Sequence, residues 1–178
     1  MSKPLTVQEF LRDTLTWPSV RFPVQELFFS DTALLQDLDN LPTVEQLSNV
    51  RLFVTEVLVP LRNVVWNGPL PVTSCFRAKA VNELVGGVAD SYHLATRGAA
   101  ADLTTASRTR ESVVRLYESI AGADNLPFAE LIFYQIGTPR IHIGWDKDPA
   151  KNPRELWVKA QDGSYRRYQG YQENGGVI

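Results

Sequence analysis

The sequence predicts an α+β fold, with helices packed on a small antiparallel sheet in a single domain. Three observations predict it. Leu47, Val50, Val54, Val57, Leu58 and Leu61 recur at helical spacing in the first part of the chain. Short apolar runs bounded by turn residues crowd the last part, from Ala129 onward. A length of 178 residues with a 44% hydrophobic share suffices for one well-cored domain and is short for two.

The elements follow in order. Residues 1–21 read as an N-terminal leader or docking arm, least connected to the rest, with a helix over 7–15 and a loop at Trp17-Pro18. The main domain spans 22–168. Within it, Thr43 and Gln46 have capping-box spacing at a helix start, and Pro60 should end or kink that helix. Residues 69–73 form a short strand. Residues 78–85 read as a helix stopped by Gly86-Gly87. Residues 99–103 are a strand, which would hold Asp102 on rigid backbone. Val113, Leu116, Tyr117 and Ile120 mark an amphipathic helix. Strands at 129–135, 141–145 and 156–159 come next, and Asp162-Gly163 signals a hairpin to a last strand at 165–168. The polar, glycine-containing tail 169–178 is expected to be flexible.

Composition removes several classes of function. Net charge is −2 and the charged share is 21%, so nothing points to a nucleic-acid partner. The single cysteine, Cys75, excludes an internal disulfide and a cysteine-clustered metal site. The first residues lack an apolar stretch of signal-peptide type, and no run approaches the length of a membrane span. The expectation is a protein made in a cytoplasm, without membrane insertion.

The only two histidines, His93 and His142, sit in segments that read as parts of one metal site, with Asp102 as third member. Imidazole and carboxylate are the ligands Zn²⁺ takes when no thiolates are present, and three protein ligands with an open position make a catalytic site. Each residue also has a simpler use. A histidine between two isoleucines on a central strand can be a core residue, His93 can serve a loop, and Asp102 before Leu-Thr-Thr can be a cap. On a strand, His142 and Gly144 share one face while Ile141, Ile143 and Trp145 share the other.

The ordered blocks Phe22-Pro23-Val24-Gln25-Glu26-Leu27, Asp39-Asn40-Leu41-Pro42, Val72-Thr73-Ser74-Cys75-Phe76-Arg77 and Val81-Asn82-Glu83-Leu84-Val85-Gly86-Gly87 add a further signal. They continue through Ser91-Tyr92-His93, Gly98-Ala99-Ala100-Ala101-Asp102, Phe128-Ala129-Glu130-Leu131-Ile132 and Ile141-His142-Ile143-Gly144. From Phe22 to Trp145 the chain resembles the zinc D-Ala-D-Ala carboxypeptidase and L-alanyl-D-glutamate endopeptidase family, in its small bacteriophage form. The resemblance implies zinc as cofactor, held by His93, Asp102 and His142. It implies Arg77 near the substrate carboxylate or the polarised carbonyl, and Ser91 orienting His93 or touching substrate.

Two departures stand out against the family. The segment between His93 and Gly98 is about two residues longer than usual, so Leu94-Ala95-Thr96-Arg97 must bulge or Asp102 must shift register. The family's general base, a carboxylate before the last histidine, aligns at or near Tyr134, and no carboxylate lies between Leu131 and Ile141. The candidates for that role are Glu130, on the strand face of Ile132 and Tyr134, and Asp146, on the face of His142.

Two functional expectations result. One is a phage-encoded zinc peptidase cutting the peptidoglycan stem peptide, with Glu130 or Asp146 as base and Arg77 steadying negative charge. The other is a weakened or inactive relative serving as a virion structural or wall-binding component, in contact with other virion proteins. Either would sit in the host cytoplasm before lysis or be incorporated in a virion.

Overall fold

The computed structural model describes residues 3–172 and 176–177, with side chains for 3–170. Its frame is a six-stranded sheet in the order β1-β2-β4-β3-β5-β6. The strands are β1 (Val72–Ser74), β2 (Gly98–Leu103), β3 (Glu130–Tyr134), β4 (Ile141–Asp146), β5 (Glu155–Lys159) and β6 (Tyr165–Arg167). The helices are α1 (Val7–Asp13), α2 (Val24–Phe28), α3 (Asp31–Leu35), α4 (Val44–Phe53), α5 (Lys79–Leu84) and α6 (Arg110–Ala121). The α+β expectation holds.

One pairing departs from an all-antiparallel sheet: β5 runs parallel to β3. After β4 the chain passes through a 3₁₀ turn at Pro149–Lys151 and crosses to the outer side of β3. That connection is longer than a hairpin, so β5 enters in the direction of β3.

The sheet has two chemically different faces because side chains alternate along each strand. Ala99, Ala101 and Leu103 of β2, Ile141, Ile143 and Trp145 of β4, and Leu131 and Phe133 of β3 belong to the main apolar core. Helices α4 and α6 supply the covering residues Leu47, Val50, Phe53, Val113, Leu116, Tyr117 and Ile120. The other face carries the polar residues of the site.

The local signals explain most helices. The Thr43–Gln46 capping box forms at the start of α4. Pro60 does not end that helical path. Its backbone stays right-handed helical, and π-helical turns at Val54–Leu58 and Leu61–Val65 flank it. Their wider i→i−5 bonds accommodate a residue with no N–H to give. Gly86 takes φ +72° just after α5, as a helix-stopping glycine should.

Residues 3–21 pack on the body of the domain. Leu5 is buried and donates its N–H to the Pro42 carbonyl, and Phe10 and Trp17 stack edge-on against Phe28. The expected flexible tail lies partly outside the described residues, although Tyr171 and Gln172 pair with Val177 and Gly176.

Candidate metal centre

The register of β2 and β4 sets Asp102 directly across from His142, so both side chains leave the same face of the sheet. His93 reaches them from a 3₁₀ turn at Tyr92–Leu94, whose N-cap is Ser91. The Ser91 hydroxyl accepts the His93 N–H at 3.2 Å, which orients the turn. All three residues are buried. His93 Nε2 and His142 Nδ1 are 3.1 Å apart, His142 Nδ1 and Asp102 Oδ1 3.0 Å, and His93 Nε2 and Asp102 Oδ1 3.3 Å. Tetrahedral zinc bound at about 2.0–2.1 Å puts its ligand atoms roughly 3.3 Å apart. The three donor atoms therefore form a triangle of the size zinc requires.

Each member has a second partner that fixes its orientation. His93 Nδ1 lies 2.5 Å from the Cys75 carbonyl, so that nitrogen carries the proton and Nε2 is left bare. His142 Nε2 lies 3.3 Å from Glu130 Oε1, which leaves Nδ1 facing the triangle. Arg77 donates from Nη2 to Asp102 Oδ2 at 2.9 Å and from Nε to Ser74 Oγ at 2.8 Å. Outer partners of this kind set the tautomer of a metal-ligating histidine and the pose of a ligating carboxylate.

The electrostatics follow from burial and these contacts. Burial pushes His93 below the usual histidine range, against the pull of Asp102. Burial also acts to lower His142, but its hydrogen bonds to Asp102 and Glu130 outweigh it and raise the ring to about 9. Asp102 is held well below the usual carboxylate range. Burial opposes that, and the two histidines overcome it. Glu130 is likewise lowered, its burial outweighed chiefly by the bond to His142.

The triad opens on a cleft of about 750 Å³ whose lining includes Arg77, Ser91, Glu130, Tyr134, Trp157 and Lys159. Arg77, Ser91 and Glu130, named from the sequence, thus gather around His93, Asp102 and His142. Asp146 sits elsewhere. Its carboxylate accepts the Tyr92 hydroxyl at 3.3 Å and the Asp148 N–H at 3.0 Å, and it does not line the cleft. Tyr134 lines the cleft with its phenol pushed above the usual range, by burial first and then by Asp102.

The loop after His93 turns sharply at Ala95, and Asp102 still pairs with His142 across β2 and β4. Ala95 is buried in the left-handed region at φ +54°. Two side chains of α4 secure the loop: Gln46 Nε2 donates to the Leu94 carbonyl and Asn49 Nδ2 to the Ala95 carbonyl, both at 2.8 Å. Gly98 then restarts the strand, and a Cβ there would stand 1.8 Å from the Trp145 carbonyl oxygen.

Sequence reasoning missed the Cys75 carbonyl, because a backbone acceptor leaves no residue-type signal. It also missed the role of Gly144 in leaving room for Glu130. The family block Ile141-His142-Ile143-Gly144 contained that residue, but only the register reveals what faces it.

Three buried N and O donors on the wall of an open cleft, with a carboxylate beside them, form the kind of centre that metallohydrolases use. The chain belongs to the peptidase M15 family: the family described as Peptidase M15 matches residues 20–131, more than half of the chain. The matched span contains His93, Asp102, Arg77 and Glu130, and His142 lies beyond it. M15 peptidases are zinc-dependent, and the His93–Asp102–His142 group can hold such an ion. No curated protein matches the chain. Among the described residues no helix is long and apolar enough to cross a membrane.

Proposed function

We propose that this chain is a zinc peptidase that hydrolyses a peptide bond of the bacterial peptidoglycan stem peptide. The observation that carries the reading is the convergence of His93 Nε2, His142 Nδ1 and Asp102 Oδ1, with the Glu130 carboxylate bonded to the far nitrogen of His142. Zinc at such a site supplies Lewis acidity toward a carbonyl and lowers the pKa of water. His93, Asp102 and His142 are its holders in this reading.

Glu130 is the general base. Only its Oε1 is engaged among the described residues, and the group is held ionised, as a proton acceptor must be. It takes the proton of the attacking water and passes it to the leaving amine. Arg77, bonded to Asp102 through one arm of its guanidinium, steadies the negative charge that develops on the scissile carbonyl. Ser91 holds the His93 turn and lines the cleft. Asp146 serves the scaffold in this reading, through Tyr92 and the turn after β4. The domain assignment of 22–168 with an N-terminal arm goes with it, as does a phage setting, with release at lysis or carriage in the particle.

A second reading draws on Tyr134. A phenol at the strand position where the family carries its base favours a wall-binding or virion component that holds zinc without cutting. Mass spectrometry of purified stem peptides, incubated with the zinc-loaded protein, decides between the two. Loss of a terminal D-alanine, or cleavage after L-alanine, establishes the peptidase and its bond. Intact peptides in the presence of folded, zinc-bound protein establish the binding role.

A further inference from the structure

The cleft face of the sheet is laid out in three rows across the strands. The middle row holds Asp102, His142, Ile132 and Trp157. Two residues along each strand to one side, the next row holds Ala100, Gly144, Glu130 and Glu155. To the other side lie Arg140, Tyr134, Lys159 and Tyr165: the Tyr134 N–H donates to the Arg140 carbonyl, Tyr134 pairs with Lys159, and Lys159 with Tyr165. All four line the same cleft as the triad. Rows two residues apart on a strand are separated by about 6.6 Å.

The outer row is cationic and aromatic. The Arg140 guanidinium carbon lies 4.1 Å from the centre of the Tyr134 ring, and Lys159 Nζ lies 5.6 Å from that ring and 5.1 Å from the Tyr165 ring. Both cations thus lie against the Tyr134 ring, which attracts them without neutralising their charge. Among the described residues neither has a carboxylate within ion-pair distance, and the Arg140 guanidinium donates to the Thr138 carbonyl at 3.3 Å. The other cleft cations are engaged: Arg77 with Asp102, and Arg97 with the Tyr92 ring and Asp146.

We propose that Arg140, Lys159 and the Tyr134 hydroxyl form a carboxylate-binding subsite, which holds an anionic group of the peptide on the side of the triad opposite Glu130. It rests on the reading of the cleft as a peptide site. The rows lie about 6.6 Å apart, so the recognised carboxylate is displaced from the carbonyl over the triad along the bound peptide. A phenol and two cations offer donors only to such a group.

The test is binding of the pentapeptide L-Ala-D-Glu-L-Lys-D-Ala-D-Ala to the zinc-loaded full chain. Two further forms are compared, one amidated at the terminal carboxyl and one at the α-carboxyl of D-Glu. Dissociation constants come from calorimetry in the Glu130→Gln background, and kcat and KM from the chain with Glu130 intact. The expected result is that one of the two amides binds about tenfold or more weakly than the acid, which also tells which carboxylate is held. Lys159→Gln and Arg140→Gln should each weaken the acid by a similar factor and leave that amide unchanged. Lys159→Arg should restore binding, and the change should fall on KM rather than kcat.

Equal binding of the acid and both amides, or equal losses for acid and amide in the variants, overturns the subsite. If discrimination is present but no form is ever hydrolysed, the subsite stands and the peptidase reading falls. Hydrolysis without discrimination removes the subsite alone.

Discussion

Glu130 on β3 stands directly across from Gly144 on β4, and the space above that glycine is what lets the carboxylate reach His142. A Cβ at position 144 would lie 3.0 Å from Glu130 Cγ and 2.9 Å from a ring carbon of Tyr92. The glycine is there for room, since its backbone is ordinary extended strand.

Gly144→Ala should therefore push Glu130 off His142 Nε2. Loss of an outer partner of a ligating histidine weakens metal affinity by about 10–100-fold. The crowding should cost about 1–3 kcal/mol of stability as Tyr92 and Glu130 shift. Chelator competition for zinc and a thermal melt measure the two effects. Unchanged zinc affinity in Gly144→Ala would show that the Glu130–His142 bond does not tune the metal.

The two roles assigned to Glu130 separate cleanly in a pair of variants. In Glu130→Gln the amide oxygen can still accept the His142 N–H, but the side chain can no longer take a proton. Turnover should fall by about 10²–10⁴-fold while zinc affinity stays near that of the parent. Glu130→Ala should lose both. Full turnover in Glu130→Gln removes Glu130 from the proton-transfer step.

The depth at which the site was legible follows from what each signal encodes. The triad was readable because histidine is scarce here and because strand alternation fixes which neighbours His142 shares a face with. The Thr43–Gln46 cap and the helix buried through Val113, Leu116, Tyr117 and Ile120 were readable from spacing alone. Helices α2 and α3 were not, because five residues are too few to display a 3.6-residue period. A disturbance of the helix at Pro60 was readable, because a proline breaks an i→i−4 ladder, but its form was not: the ladder widens around the proline and the helical path continues. The parallel β3–β5 pairing, and with it the row of Arg140, Tyr134 and Lys159, depends on a crossover that local sequence does not specify.

The loop after His93 gives another expected outcome. Asn49 is buried on α4 and its amide satisfies the carbonyl of Ala95, whose left-handed backbone turns the loop. Asn49→Ala leaves that buried carbonyl without a partner, at a cost of about 1–3 kcal/mol. The loop begins at His93, so looser closure should also weaken zinc binding. Denaturant melts of the metal-free and zinc-loaded protein read both effects. A larger loss in the zinc-loaded form is expected, and equal losses would confine Asn49 to the scaffold.

Zinc binding should depend on pH in a direction set by His142. In the metal-free protein its ring is raised to about 9 from an ordinary value of 6.5, so at neutral pH it carries a proton between Asp102 and Glu130. A folded-state value above the unfolded one contributes stability that is complete below about 6.5 and is lost as pH rises through about 9. Asp102, held low, contributes stability that is present above its ordinary value of 3.8 and lost as pH falls through its lower folded-state value. Zinc needs the bare His142 Nδ1 and must displace the proton of that ring, because Nε2–H stays with Glu130. Affinity should therefore climb with pH up to about 9 and then level off, with close to one proton released per zinc at pH 7. Calorimetry in two buffers of different ionisation enthalpy counts that proton. A count near zero would mean that His142 is already neutral when the metal arrives, and that Asp102 and Glu130 orient its ring without charging it.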